Sequence, residues 1–197
     1  MPEPAPEPTR LPPRRALQQR VSTTILVAAA RTFAERGEQA NLADVAVAAG
    51  VARATVYRYY PNRRRLLEEL TRHAAESAHE RLVAARIDEV PVEEGLTRAI
   101  RAFVDEGDAF VVLVRERGRT EGHEFEQLIA TPLRRLFESA RSEARIRHEI
   151  PAGVLAESLL AIVAGVMGNC SLGRDDTVAM IRTVFLKGAF EPQRSDQ

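Results

Sequence analysis

Apolar residues along this chain recur at intervals of three and four, and no sustained stretch alternates with period two, so the pattern predicts helices and no strands. From Arg15 to Arg36, the residues Val21, Ile25, Ala28, Ala29, Thr32 and Phe33 share one helical face, and Gly37 supplies a left-handed stop. A short helix follows under an Asn41 cap, with Leu42, Val45, Ala46 and Ala49 on its inner side and Gly50 at its end. A third covers Ala52 to Tyr60, where Pro61 and Asn62 break the chain before a long helix from Arg63 to about Arg86. Further helices are expected over Val92 to Glu106, Asp108 to Arg117, Glu124 to Ile146, Ala152 to Cys170 and Asp176 to Phe190, with Asp108 and Asp176 as N-caps. Pro132, after Thr131, either starts a helix or kinks a longer one.

Residues 1–13 are rich in proline and are expected to form a disordered arm, with residues 192–197 as a tail. No secretion signal is read in the arm, and the longest apolar run, Val154 to Met167, falls short of the roughly 20 residues that span a bilayer. A cytoplasmic protein with no membrane association is the expectation. The single cysteine, Cys170, cannot form an internal disulfide, and no Cys/His cluster has zinc spacing, so neither metal nor cofactor is expected. The four histidines are scattered, and no nucleophile, base and acid combination or phosphate-cradling glycine loop is evident, which argues against an enzyme.

Net charge is zero but unevenly spread. Residues 1–65 hold 11 arginines against five acidic residues, a net of +6, and the remainder is net −6. The basic end is where polyanion binding is expected, and a motif for it lies there. Ala46 is small where two helices would cross, Gly50 can turn the chain sharply, and Val51 and Val56 are apolar where the second helix locks onto the first. With those buried, Arg53, Ala54, Thr55, Tyr57, Arg58 and Tyr59 face outward. Arg53 suits guanine O6 and N7, Ala54 a thymine methyl, Tyr59 a base or sugar, and Thr55 and Tyr57 phosphates. Asn41 and the Arg63 to Arg65 run extend the candidate surface. Arg10, Arg14 and Arg15 are candidates for a minor-groove arm.

Residues 25–70 resemble the N-terminal domain of the TetR/AcrR family of repressors, through the Phe33 to Gly37 helix ending, the AAGV turn at 48–51, the TVYRYY string at 55–60 and the Asn62-Arg63 start of the fourth helix. The resemblance implies that Arg53, Thr55 and Tyr59 face the groove, that Tyr57 touches phosphate and that Arg63 replaces the usual lysine on the backbone. Ala52 stands where a capping residue is common, and Asn41 where threonine is usual. The implied fold is all-α: a three-helix helix-turn-helix DNA-binding domain at 14–65, joined by a long helix to a larger effector-binding and dimerisation domain at 66–191.

For that larger domain, the helix from Ala152 to Cys170 is apolar nearly all round, and must be buried on several sides. Leu155, Leu159, Ile162, Val163 and Val166, with Ile181, Val184 and Phe185, are the candidates for the homodimer interface that the resemblance implies; the alternative is that they form the core of the monomer. Phe103, Phe110, Phe125, Leu128, Phe137 and Met167 are candidate walls of an effector cavity, with His123, Asn169 and Arg115 as polar handles. The expected function is a repressor that binds palindromic double-stranded operator DNA as a homodimer and is released by a small-molecule effector. The alternative is a helical protein-interaction scaffold with a silent helix-turn-helix.

Overall fold

The computed structural model describes residues 13–117, 123–142, 149–170 and 172–189, and all of its regular elements are helical. They are α1 (Pro13–Arg36), a 3-10 turn (Gly37–Gln39), α2 (Leu42–Ala49), α3 (Arg53–Tyr59), α4 (Arg63–Ala84), α5 (Val92–Glu106), α6 (Asp108–Glu116), α7 (His123–Phe125), a π turn (Glu126–Ala130), α8 (Thr131–Ser142), α9 (Ala152–Asn169) and α10 (Arg174–Ala189). The boundary and tail expectations for residues 1–12 and 192–197 lie outside the described residues.

Two apolar clusters hold these helices. The first gathers Ile25, Ala29 and Phe33 of α1, Leu42, Val45 and Ala46 of α2, Val56 and Tyr60 around α3, and Leu66, Leu67 and Leu70 of α4. The second gathers Ala74, Ala78 and Leu82 of α4 with α5, α6, α8, α9 and α10. α4 therefore runs through both, and α6 joins them again because its Val112 packs into the first.

Local chemistry explains the head. Asn41 Oδ1 accepts from Ala43 N and Asp44 N, while Asp44 Oδ2 accepts from Asn41 N, so α2 opens on a reciprocal capping box. Gly50, at φ 65, ends it in the left-handed region, and its N–H reaches the last carbonyls of α2.

Three expected starts and turns differ. Gly107, at φ 67, precedes α6, and Asp108 is the helix's first residue rather than its cap. α10 begins at Arg174, so Asp176 sits inside the first turn, where Thr177 Oγ1 donates to Gly173 O. Pro132 does not start a helix; α7 and α8 are continuous through the π turn. Proline has no N–H to offer Leu128 O, one turn back, and that carbonyl is taken instead by His79 Nδ1 at 2.9 Å. A carbonyl only accepts, so the His79 proton sits on Nδ1.

Among the described residues, α9 is long and apolar enough to cross a bilayer by length and composition. Leu155, Leu159, Leu160 and Val163 are nonetheless buried in the chain's own core.

Candidate nucleic-acid interface

α3 is seven residues long and is anchored on its inner side at its middle and just past its end. Val56 is fully buried, and Tyr60, just past the helix, is buried with its hydroxyl 2.7 Å from Ser22 Oγ on α1. Burial pushes the Tyr60 phenol above its ordinary value, a rise the Ser22 bond partly opposes. The sequence patterns gave no sign of this bond, because its partners are 38 residues apart.

With those anchors fixed, Arg53, Ala54, Tyr57 and Arg58 are exposed and Thr55 and Tyr59 half-buried. Arg58 lies over the Tyr59 ring, 5.5 Å from its centroid. Ala52 precedes the helix without a side-chain cap, as its side chain requires. The outward set read from the sequence is thus brought onto one short helix, though Tyr59 also packs against the first core.

Arg63 differs from its expectation as a backbone cation. Its Nε donates to Ala40 O at 3.1 Å, its Nη2 donates to Gly37 O at 3.2 Å, and the guanidinium lies 5.0 Å from the Phe33 centroid. It clamps the α1–α2 connection from within, because the start of α4 packs beneath the carbonyls that this turn leaves open. Asn41 is likewise occupied as a cap. Arg64 and Arg65 both pair with Glu68, whose carboxyl is held below the usual range chiefly by the Arg64 hydrogen bond. Arg15 is exposed on α1, and Arg14 belongs to that helix rather than to an arm; Arg10 lies outside the described residues.

The larger cluster reorders the other candidates. Phe103 and Phe110 stack at 4.5 Å, Phe137 lies 5.6 Å from Phe185, and all four are buried, so they fill the core rather than line a space within it. Leu128 and Met167 sit at its edge. Asn169 is exposed at the end of α9, where its Nδ2 donates to Gly165 O, away from this core. The side chain of His123 lies outside the described residues.

Of the expected interface residues, Leu155, Leu159, Val163, Ile181 and Phe185 are enclosed in the chain's own core and have no surface for a second copy. The periodic pattern marks burial without naming what does the burying. Ile162 and Val166 are half-buried, and Val184 is 56% exposed.

A link between the two clusters was not legible in the sequence. Arg115 of α6 donates from Nη1 to Ala34 O at the end of α1, 2.8 Å away. A side chain at Gly168 of α9 would place its Cβ 2.8 Å from Arg115 Nη2. Glu106 at the end of α5 accepts from Ser77 Oγ and Arg81 Nε of α4.

A helix-turn-helix head on a helical body is the class that fold and surface define, and comparison with known proteins agrees. The family model described as bacterial regulatory proteins, tetR family, matches residues 25–70. The HTH-type transcriptional repressor LfrR of Mycolicibacterium smegmatis is 38% identical over 90 residues, 46% of this chain; the matched stretch spans about half of that relative, 47%. The HTH-type transcriptional regulator NfxB of Pseudomonas aeruginosa is 25% identical over 166 residues, covering 80% of this chain and 88% of that protein. In three dimensions, the crystal structure of LfrR from Mycobacterium smegmatis in complex with proflavine superposes with a TM-score of 0.70 at 26% identity, covering 89% of this chain and 99% of that one. Residues 25–70 are thus similar to the DNA-binding head of the tetR family, and the chain as a whole is similar in fold to a TetR-like regulator.

Proposed function

We propose that this chain is a repressor that binds a palindromic operator as a homodimer through α3 and is released by a small-molecule effector. The observation that carries the reading is the mounting of α3. Its Arg53, Ala54, Tyr57 and Arg58 stand outward while Gly50, Val56 and Tyr60 hold the helix against its neighbours. Arg53, in the first turn, has the reach to fork onto guanine, and Tyr57 suits a phosphate oxygen.

Two copies are required because one seven-residue helix reads too few bases to select an operator. Half-sites on one face of DNA lie about 34 to 36 Å apart, so the separation of the two α3 helices decides binding. The surface offered for pairing is the outer side of α9 and α10: Val154 and Ala161, the half-buried Ile162 and Val166, and Val184. Gly165 on that side has open space beside it, which lets a second backbone approach.

Release follows if effector binding alters the body and α6 passes the change to α1 through Arg115 and Ala34 O. The likeness to LfrR, whose crystal structure is a proflavine complex, supports a flat aromatic effector and makes proflavine the first probe. A protein working in this way acts in the cytoplasm, where the operator is.

The test is selection of bound DNA from a random pool. A palindrome with half-sites one turn apart is expected, and Arg53→Ala and Tyr57→Ala should each weaken its binding by about tenfold or more. Recovery of no preferred sequence at moderate salt, or full affinity in both variants, would sink the proposal.

A further inference from the structure

At the end of α6, the guanidinium of Arg117 lies 5.7 Å from the centroid of the Phe125 ring on α7, and its Nη1 stands 2.6 Å from Glu157 Oε2 on α9. That nitrogen is buried and, close as the carboxylate is, has no hydrogen-bond partner among the described residues. Phe125 is buried, while the Glu157 side chain remains 49% exposed. The nearby cation Arg134, which also feels the Glu157 charge, is committed to Glu126. A flat delocalised cation therefore sits over an aromatic ring against a half-open carboxylate, with one nitrogen ion-paired but, among the described residues, not hydrogen-bonded.

We propose that Arg117 is a resident stand-in, and that Phe125 and Glu157 receive a planar aromatic cation in its place. This rests on the reading of an effector-released repressor and gives the effector its seat. The exchange conserves charge: one cation leaves Glu157 for water as another arrives, so no ion is left buried and alone. It also gains contact area, since an aromatic cation stacks on Phe125 over more surface than a guanidinium and is less strongly hydrated. Arg117 is replaceable because its buried N–H regains hydrogen bonds in water that it lacks at the site. The position suits the output as well. Arg117 directly follows α6, two residues after Arg115, which holds Ala34 O of α1.

The experiment is a fluorescence titration of proflavine with the purified full chain, free of DNA, with circular dichroism melts to confirm that each variant folds. Glu157→Gln, which keeps shape and removes charge, should weaken binding about tenfold, and Phe125→Leu should do so similarly. Arg117→Ala should tighten binding by about threefold or more, because the competitor is gone; a structural role for Arg117 would weaken it instead. Unchanged affinity in Glu157→Gln, or weaker binding in Arg117→Ala, overturns the inference. So does absence of proflavine binding by the wild type. A mobility shift with the selected operator, run on the same ligand-free wild-type protein, separates the two readings: operator binding without proflavine binding leaves the repressor standing and removes only this seat.

Discussion

Arg63 shows how one side chain can be read correctly for type and wrongly for direction. Its charge suggested a backbone phosphate, yet two of its nitrogens hold Gly37 O and Ala40 O and its plane covers Phe33. Arg63→Ala should therefore lower stability in urea unfolding by about 1 to 2 kcal/mol, and Arg63→Lys by less, since an ammonium keeps donors for the carbonyls but lacks the planar fork and cannot stack as a plane. Wild-type stability in Arg63→Ala would return the residue to the DNA surface. Tyr60 carries a pH signature. Its folded value lies above the ordinary one near 10, so the unfolded chain ionises first as pH rises. The stabilisation is complete below about pH 10 and is lost between that point and the folded value. Tyr60→Phe should cost about 1 kcal/mol at neutral pH through the lost Ser22 bond, and should flatten the alkaline decline expected in denaturant melts between about pH 9 and 11. An unaltered decline would assign it to other groups.

At the scale of elements, the head was legible because its signals are local. Asn41 caps α2 through residues two and three places on, and Gly50 ends it by its own backbone angle, so a window of ten residues contains the cause. The π turn was visible only as an ambiguity at Pro132, because its resolution needs His79, 49 positions from the carbonyl it satisfies. Asp108 was misread as a cap because Gly107 turns the chain without one. Five of the eight expected interface residues are enclosed for a related reason: period marks Leu159 and Phe185 as buried, but only packing shows that the chain buries them itself. Arg115 belongs to the same class of long-range contact and carries a prediction. Between α1 and α9 it has one hydrogen bond to Ala34 O and, on its other side, the space left by Gly168. Arg115→Ala should bind proflavine as the wild type does, yet show a smaller proflavine-induced fall in operator affinity, by a coupling of about 1 kcal/mol. Both proteins are titrated on the same DNA, so intercalation cancels in the comparison. Equal falls in mobility-shift titrations would remove Arg115 from the route.

For the whole molecule, on the proposed operator-binding reading, the decisive quantity is how many phosphates are neutralised at once. The basic end of the chain is net +6 over its first 65 residues and the remainder is net −6, so a single copy presents a modest positive surface and an acidic body that repels DNA. Pairing through α9 and α10 would double the contacts without doubling the loss of freedom on binding. Val184, 56% exposed on α10, tests this because it faces out of the chain's own core. Val184→Glu should remain folded, run as a monomer in light scattering at micromolar concentration, and lose the cooperative step on a two-half-site operator. Val83→Glu on α4, equally apolar and exposed at 62%, should stay dimeric. The salt dependence then distinguishes a lost partner from a damaged head. For a dimer touching about six to ten phosphates, log affinity falls against log salt with a slope near 0.9 per phosphate, and the monomeric variant should keep about half of that slope. A variant that bound weakly with the full slope would still be engaging both half-sites, and the pairing surface would have to be sought away from Val184.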